Sequence, residues 1–391
     1  MLDVSREERR RALARKEALR LRVGIATFAV GVALGGVLLA TIFVVPALQG
    51  PDSGVRLARM GRAALLAVPA CLLYATVPKL VDRFDPEPWT TLLATYVWGA
   101  FAACGISAAV TSAVSLAAGR LGGPVAADFF GSVVCAPAIE ELTKGAAVFG
   151  VFFFVKREFD GIVDGIIYGT FVGLGFATLE NVVYYARAIG SGDAALAGTF
   201  VLRGVLAPWG HPFYTAMIGI GFGFAREDHT MSRRKWAPVV GYALAVLLHA
   251  GWNATAFVST ITGAPIAVLS LPVWFVFVFA FAAMVLVLVA RKGRILREFL
   301  EDEVALGHMS PAEVDHVCDA GVRIRSHFAV HPSADLAFVA VASRLALSKW
   351  HSVRAMRLGV PTVSAEFILP LRKRLGELRR ERGPIPAKNG P

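Results

Sequence analysis

Eight apolar segments of the 391-residue sequence are each long enough to cross the hydrocarbon core of a lipid bilayer. A transmembrane helix needs about 20 apolar residues, and backbone groups in lipid must be satisfied within helices or closed barrels. The segments are too long for barrel strands and do not alternate between polar and apolar residues. The sequence therefore predicts an all-α, polytopic membrane helical bundle with eight transmembrane helices. Their approximate limits are 23–48, 61–81, 89–117, 127–155, 161–187, 197–225, 236–260 and 265–290.

The composition agrees with a membrane protein and excludes a nucleic-acid binder. Hydrophobic residues make up 56% of the chain and the mean hydropathy is +0.60, which is too apolar for a soluble protein of this length. The net charge is +11, but the basic residues flank the apolar segments and do not form one basic face on a soluble domain. We therefore expect the lipid bilayer as a partner and no nucleic acid.

Basic residues are concentrated in the N-terminal segment and in alternate short loops. Because such residues stay on the cytoplasmic side, both termini are predicted to be cytoplasmic in a multi-pass protein of the cell membrane. The sequence divides into a basic cytoplasmic N-terminal segment (1–22), a transmembrane bundle (23–290) and a cytoplasmic helical tail (291–391). In the tail, Ser310-Pro311-Ala312-Glu313 fits a capping box, which predicts a helix from there to about Val322.

Two adjacent glutamates, Glu140 and Glu141, lie near the centre of the fourth apolar segment. A charged side chain at that depth costs about 3 kcal/mol on insertion scales, and such groups face a protein interior or a wet cavity. Lys144 follows Glu140 by four residues and lies on the same helical face, where it can compensate one glutamate. We interpret the pair as functional. The alternative is a structural ion pair with Lys144 or Arg203.

Three more ionisable side chains lie inside other apolar segments at a depth similar to that of Glu141. Each is roughly 13–16 residues from the cytoplasmic end of its segment, or about 20–24 Å at 1.5 Å per residue. A shared depth on separate helices predicts a single site inside the bundle. These side chains are Glu180, His211 and His249.

Carboxylates and imidazoles together are suitable ligands for a divalent metal, above all Zn²⁺. A further glutamate could then activate water, and Asn253, one helical turn after His249, could donate to an oxyanion. The alternative for each residue is a packing role within the bundle. Arg203 is expected to be a boundary or packing charge.

Small residues and prolines indicate how the helices around the site are arranged. Glycines recur at three- to four-residue spacing in 160–181 and 219–225, which permits close helix approach, so the helix with Glu180 is predicted to be central. Pro208 and Pro212 flank His211 and predict a break or kink there.

In chain order the polar residues form four motifs: Glu140-Glu141-Leu-Thr-Lys144, Phe176-Ala-Thr-Leu-Glu180-Asn181, a lone His211 followed by Tyr-Thr-Ala-Met-Ile-Gly, and His249-Ala-Gly-Trp-Asn253. Over about residues 60–260 the chain thereby resembles the PrsW family of intramembrane proteases, related to the CPBP (CAAX-protease-like) superfamily. That superfamily usually has an arginine after its glutamate pair and a histidine at the position of Glu180. Lys144 and Glu180 depart from it, as in PrsW-like members.

The resemblance implies an intramembrane metalloprotease that cleaves a membrane-anchored protein, such as an anti-sigma factor, in regulated intramembrane proteolysis. The expected reaction is hydrolysis of a peptide bond by a glutamate-activated water. Two other functions stay open: an ion- or proton-coupled transporter that uses the same acid and imidazole groups, and a catalytically inactive membrane scaffold. For the protease, the expected catalytic residues are Glu140, Glu141 and Asn253, and the expected metal ligands are Glu180, His211 and His249.

Overall fold

The computed structural model describes residues 2–84, 86–227, 231–328, 333–357, 359 and 364–383. All regular secondary structure among these residues is helical, which confirms the predicted all-α polytopic bundle. The α-helices are α1 (Leu2–Leu39), α2 (Val45–Leu48), α3 (Ser53–Tyr74), α4 (Thr76–Val81), α5 (Trp89–Val97), α6 (Cys104–Asp128), α7 (Ala136–Phe154), α8 (Ile162–Ser191), α9 (Asp193–Phe200), α10 (Gly210–Glu227), α11 (Met231–Thr262), α12 (Ile266–Leu269), α13 (Leu271–Ala305), α14 (Pro311–Cys318), α15 (Ala320–Phe328), α16 (Ala334–Arg357) and α17 (Ser364–Arg382).

Short π-helical turns continue several of these helices. They occupy Ala40–Val44, Trp98–Ala103, Phe129–Cys135 and Val201–Leu206. Two of them, Phe129–Cys135 before α7 and Val201–Leu206 after α9, supply residues to the site described below. π-Turns of this kind are frequent at functional sites.

Six helical stretches of the described chain are long and apolar enough to cross a membrane. The predicted number of eight transmembrane helices stays a prediction. One of the six stretches is 66 residues long, which is enough for more than one crossing, and α10 is not among the six. The six stretches are Arg15–Leu48, Ser53–Val81, Trp89–Phe154, Ile162–Ser191, Arg233–Thr262 and Ile266–Ala305.

The stretch Trp89–Phe154 is a hairpin. A straight helix of that length would measure about 100 Å at 1.5 Å per residue, or three times the hydrocarbon thickness of about 30 Å. The chain turns at Gly123, where φ is +78°, a value that glycine adopts without steric cost. A Cβ atom at Gly119 would lie 3.3 Å from that of Ala127, so the two limbs lie side by side. The hairpin thus contains the third and fourth predicted segments.

Helix α8 is the most buried of the membrane helices. In its apolar window 83% of the residues are buried, against 6% to 33% in the other five stretches. Helix α10 packs against it backbone to backbone, since a Cβ atom at Gly165 would collide with the carbonyl oxygen of Gly219. This confirms the predicted close approach through small residues and the central position of the helix that carries Glu180.

The predicted break beside His211 is also confirmed. The π-turn after α9 ends at Leu206, the backbone of the next residue, Ala207, is not helical (φ −126°, ψ 38°), and α10 begins at Gly210. A Cβ atom at Gly173 of α8 would lie 2.7 Å from the carbonyl oxygen of His211. The break therefore places His211 in the first turn of α10, directly against α8.

The chain divides into two compact units. One comprises Met1–Pro78 and Glu87–Phe281, and the other comprises Lys79–Pro86 and Ala282–Pro391. The division falls inside α13, whereas the domain limits predicted from the sequence are residues 22 and 290, and those limits stay predictions.

The capping box in the second unit begins α14 as predicted. The Ser310 hydroxyl accepts a hydrogen bond from the backbone N–H of Glu313 at 3.3 Å, and the Glu313 carboxylate accepts one from the Ser310 N–H at 2.6 Å. The helix ends at Cys318, however, and does not reach Val322. Asp319 is extended and its carboxylate accepts the N–H of Val322 at 3.0 Å, so it caps a new helix, α15.

A buried carboxylate also connects three helices of this unit. Glu303 of α13 is fully buried and accepts hydrogen bonds from Lys349 of α16 and Arg372 of α17, each at 2.8 Å. His308 adds a contact of 2.8 Å. The tail therefore has an ionic core of its own, because a buried charge is tolerated only when it is paired.

Candidate active site

Four helices of the first unit, α7, α8, α10 and α11, contribute polar side chains to one cavity of about 770 Å³. Of the six residues singled out in the sequence, five line this cavity: Glu140, Glu180, His211, His249 and Asn253. Glu141 is fully buried and is absent from the lining among the described residues. The two adjacent glutamates therefore have different surroundings.

Lys144 connects both glutamates to a histidine. Its ammonium donates to Glu141 Oε1 at 2.9 Å and to Glu140 Oε2 at 3.2 Å, because positions three and four residues apart share a helix face. The same nitrogen lies 2.9 Å from Nδ1 of His211 and 3.8 Å from the ring centroid of Phe176. Lys144 thus compensates both carboxylates, whereas the sequence suggested only one.

Glu141 has three hydrogen-bond partners. Besides Lys144, its Oε2 accepts the hydroxyl of Thr215 at 3.0 Å, and its Oε1 lies 3.0 Å from Nδ1 of His249. These partners come from α10 and α11, so this one carboxylate connects three helices. A buried carboxylate needs such partners, since an unpaired one is strongly destabilising.

Each histidine has a carboxylate at one ring nitrogen. Nε2 of His211 lies 2.7 Å from Glu180 Oε2, and Nδ1 of His249 lies 3.0 Å from Glu141 Oε1. The two rings are 5.2 Å apart and nearly perpendicular. A carboxylate on the second nitrogen fixes the tautomer and orientation of an imidazole, as in many metal sites.

Glu140, His211 and His249 form a group that could hold a metal ion. One ligand atom from each lies within 4.8 Å of the others, and Glu140 Oε2 is 3.9 Å from both His211 Nδ1 and His249 Nε2. One carboxylate and two imidazoles are a donor set of catalytic zinc sites. The residues present therefore fit a divalent metal, although Lys144 contacts two of the same atoms. The ligand set predicted from the sequence contained Glu180 in place of Glu140.

Arg203 belongs to the site and was missed as a functional candidate. It lies on the π-turn Val201–Leu206, its guanidinium pairs with Glu180, and its Nε donates to Asn181 Oδ1 at 2.8 Å. It also lines the cavity. The available signal was an arginine inside an apolar segment, which requires an acidic partner in the bundle. The sequence alone does not show which acidic residue pairs with Arg203, and the fold shows that it is Glu180.

Asn253 lies on the cavity wall and is partly engaged. Its amide nitrogen donates to the backbone carbonyl of Ser132 at 2.8 Å, on the π-turn that precedes α7. A side-chain amide has two N–H groups, so one of them is still available to a ligand in the cavity.

Comparison with known proteins identifies the family. The sequence model described as "PrsW family intramembrane metalloprotease" matches residues 87–287, which include all the polar site residues described above. The chain belongs to the PrsW family. It is 27% identical to protease PrsW of Geobacillus kaustophilus over 198 residues, covering 50% of this chain and 80% of that protein. It is 30% identical to protease PrsW of Bacillus subtilis over 174 residues, covering 44% and 73%. No solved structure matches the chain.

Membership of the PrsW family confirms the predicted enzyme class, an intramembrane protease and hence a hydrolase. It also agrees with a multi-pass membrane protein that acts on a protein substrate. The transporter and the inactive scaffold are not favoured. The link between this chain and the wider CPBP superfamily stays a prediction.

Proposed function

We propose that this PrsW-family protein hydrolyses a peptide bond of a membrane-anchored protein by means of a water that Glu140 activates. One observation supports the choice of Glu140. Glu140 lines the cavity beside His211 and His249. Glu141, by contrast, is fully buried and hydrogen-bonded to three side chains. A general base must be able to reach the water whose proton it takes.

In the proposed reaction, Glu140 accepts a proton from water while the water oxygen attacks the scissile carbonyl carbon. The carbon–nitrogen bond then breaks, and Glu140 returns the proton to the leaving amine nitrogen. Lys144, 3.2 Å from Glu140 Oε2, compensates the carboxylate charge and keeps it in place. Glu141 is a positioning residue, because it holds Lys144 and His249 at the site.

The donor set supports a resident divalent cation, and we propose Zn²⁺. Glu140, His211 and His249 would hold it, and when bound it would polarise the scissile carbonyl and make a nearby water more acidic. Glu141 orients His249 through Nδ1, and Glu180 orients His211 through Nε2. Glu180 is then a positioning residue, and Arg203 forms an ion pair with its carboxylate. A carboxylate has two oxygens, so one oxygen of Glu140 would coordinate the cation while the other accepts a hydrogen bond from the water.

Asn253 is proposed as an oxyanion donor. It lies one helical turn after His249 on α11, lines the cavity, and has one N–H left after its bond to Ser132. A neutral donor held in place near the developing charge stabilises the transition state.

We further propose that the substrate is a membrane-anchored regulatory protein, with an anti-sigma factor as the class that the family resemblance implies. The distribution of basic residues supports a location in the cell membrane with both termini in the cytoplasm. Mass spectrometry of membrane proteins that accumulate when the gene is deleted would supply candidate substrates. Each candidate is then incubated with the purified protein in detergent.

The decisive comparison uses Glu140→Gln, which keeps the size of the side chain, removes its basicity and makes it a weaker ligand for the proposed cation, so the metal content of the variant is measured beside its cleavage. We expect cleavage to fall by roughly 10²–10⁴-fold. Glu158→Gln is the matched control, since Glu158 accepts a hydrogen bond from Thr91 and is absent from the described cavity lining. Equal cleavage by Glu140→Gln and the wild type would contradict the assignment.

A further inference from the structure

Tyr214 carries a hydroxyl that is buried and has no hydrogen-bond partner among the described residues. The residue is 2% exposed and lies three positions after His211 on α10. It lines the same cavity as Glu140, His211 and His249. Buried hydroxyls without partners are rare in native structures and call for a functional explanation.

Ring contacts hold the phenol in a fixed orientation. It stacks on His249, with centroids 4.8 Å apart and planes at 15°, and it meets His211 edge-on at 6.2 Å. Trp274 packs against it at 5.6 Å. A donor that is already oriented needs little reorganisation when charge develops near it.

We propose that Tyr214 is a catalytic residue that donates its O–H to the oxyanion formed on the scissile carbonyl. This inference rests on the proposed hydrolysis. A phenol is protonated at neutral pH and is a hydrogen-bond donor. Asn253 gives one of its N–H groups to Ser132, so Tyr214 and Asn253 together provide two donors from α10 and α11. The hydroxyl keeps its proton throughout and only its hydrogen bond strengthens.

Tyr185 provides a matched control within the same unit. It is also fully buried, and its hydroxyl also has no partner among the described residues. Tyr185 is absent from the described lining of the cavity. If a buried, unpartnered hydroxyl mattered only for packing, replacement of either tyrosine by phenylalanine would have the same small effect.

The test compares Tyr214→Phe and Tyr185→Phe in kcat and KM on one cleaved substrate. Phenylalanine keeps the ring that stacks on His249 and removes only the hydroxyl. We expect Tyr214→Phe to lower kcat by roughly 10²–10³-fold, as for the loss of one oxyanion donor, with KM, metal content and melting temperature unchanged. Tyr185→Phe should cleave like the wild type.

A second measurement separates catalysis from structure. A peptide phosphinate resembles the tetrahedral oxyanion, so its inhibition constant should weaken in Tyr214→Phe by about the same factor as kcat. Wild-type kcat in Tyr214→Phe, or a fall in kcat without weaker phosphinate inhibition, would overturn the assignment. A different result would contradict the proposed hydrolysis on which this inference rests. In that case Glu140→Gln would cleave the substrate like the wild type, or the wild type would not cleave it at all.

Discussion

The ammonium of Lys144 lies 2.9 Å from Nδ1 of His211, an atom that a metal ion at this site would also use. The same ammonium contacts Glu140 Oε2, a second atom of the candidate metal group. In this structure Lys144 therefore compensates the carboxylates of the site, and it contacts two of the atoms that would hold a divalent cation. We therefore expect loss of the Lys144 ammonium to lower both the stability of the protein and its proteolytic activity.

Replacement of Lys144 by methionine should destabilise the protein by about 3–5 kcal/mol, because it leaves two buried carboxylates without their cation. Thermal unfolding in detergent measures the effect. Lys235→Met is the control, since Lys235 is exposed and its loss should change the melting temperature little. The double variant Lys144→Met/Glu140→Gln should recover part of the loss. A stable Lys144→Met protein would contradict this view of the site.

Removal of divalent metal with a chelator should abolish cleavage and leave the helical circular dichroism signal nearly unchanged. The physical reason is that Lys144 still pairs with Glu140 and Glu141 after the metal has left. Activity should return when Zn²⁺ is added back to the chelated protein. Undiminished cleavage by protein that elemental analysis finds free of divalent metal would contradict a metal-dependent reaction.

Replacement of Arg203 by methionine should lower both cleavage and stability. Glu180 would lose its guanidinium partner. The Glu180 carboxylate would then no longer be fixed in the position from which it contacts Nε2 of His211. Arg203→Lys should recover only part of the function, since a lysine cannot keep both Glu180 and Asn181 in the geometry of a guanidinium. Arg187→Met serves as the control, because Arg187 is an exposed arginine that also lines the cavity. Kinetics and melting curves of the three variants provide the comparison.

Replacement of Gly165 by alanine should cost about 1–3 kcal/mol through overpacking. The added methyl group would collide with the backbone of Gly219 and push α8 away from α10. Gly150→Ala is the matched control, since a Cβ atom there meets nothing within 4 Å and alanine favours a helix by about 0.5–1 kcal/mol. Melting temperatures that move in the same direction for both variants would contradict the tight α8–α10 contact.

Several local features of the protein follow from sequence alone because they depend on neighbouring residues. Apolar length determines that the middle of the chain is a set of membrane helices. Pro208 and Pro212 predict the break before α10, and Ser310 with Glu313 predicts where α14 begins. The end of α14 was wrong by four residues, since the capping effect of Asp319 on the next helix competes with continuation.

The roles of the paired glutamates required the tertiary structure. Helical geometry determines that Glu140 and Glu141 point about 100° apart, but it does not determine how α7 is rotated about its axis. That rotation follows from packing against α10 and α11, and it directs Glu140 into the cavity and Glu141 onto Thr215 and His249.

The sequence by itself therefore determined the helical class and the residue types of the site, and it predicted a shared depth for them. Only the tertiary structure decided which groups meet, including Arg203 with Glu180 and Tyr214 with His249. The physical reason is that periodicity and depth describe each helix separately. Contacts between helices depend on their order, rotation and separation, which are set by close packing between residues far apart in the chain.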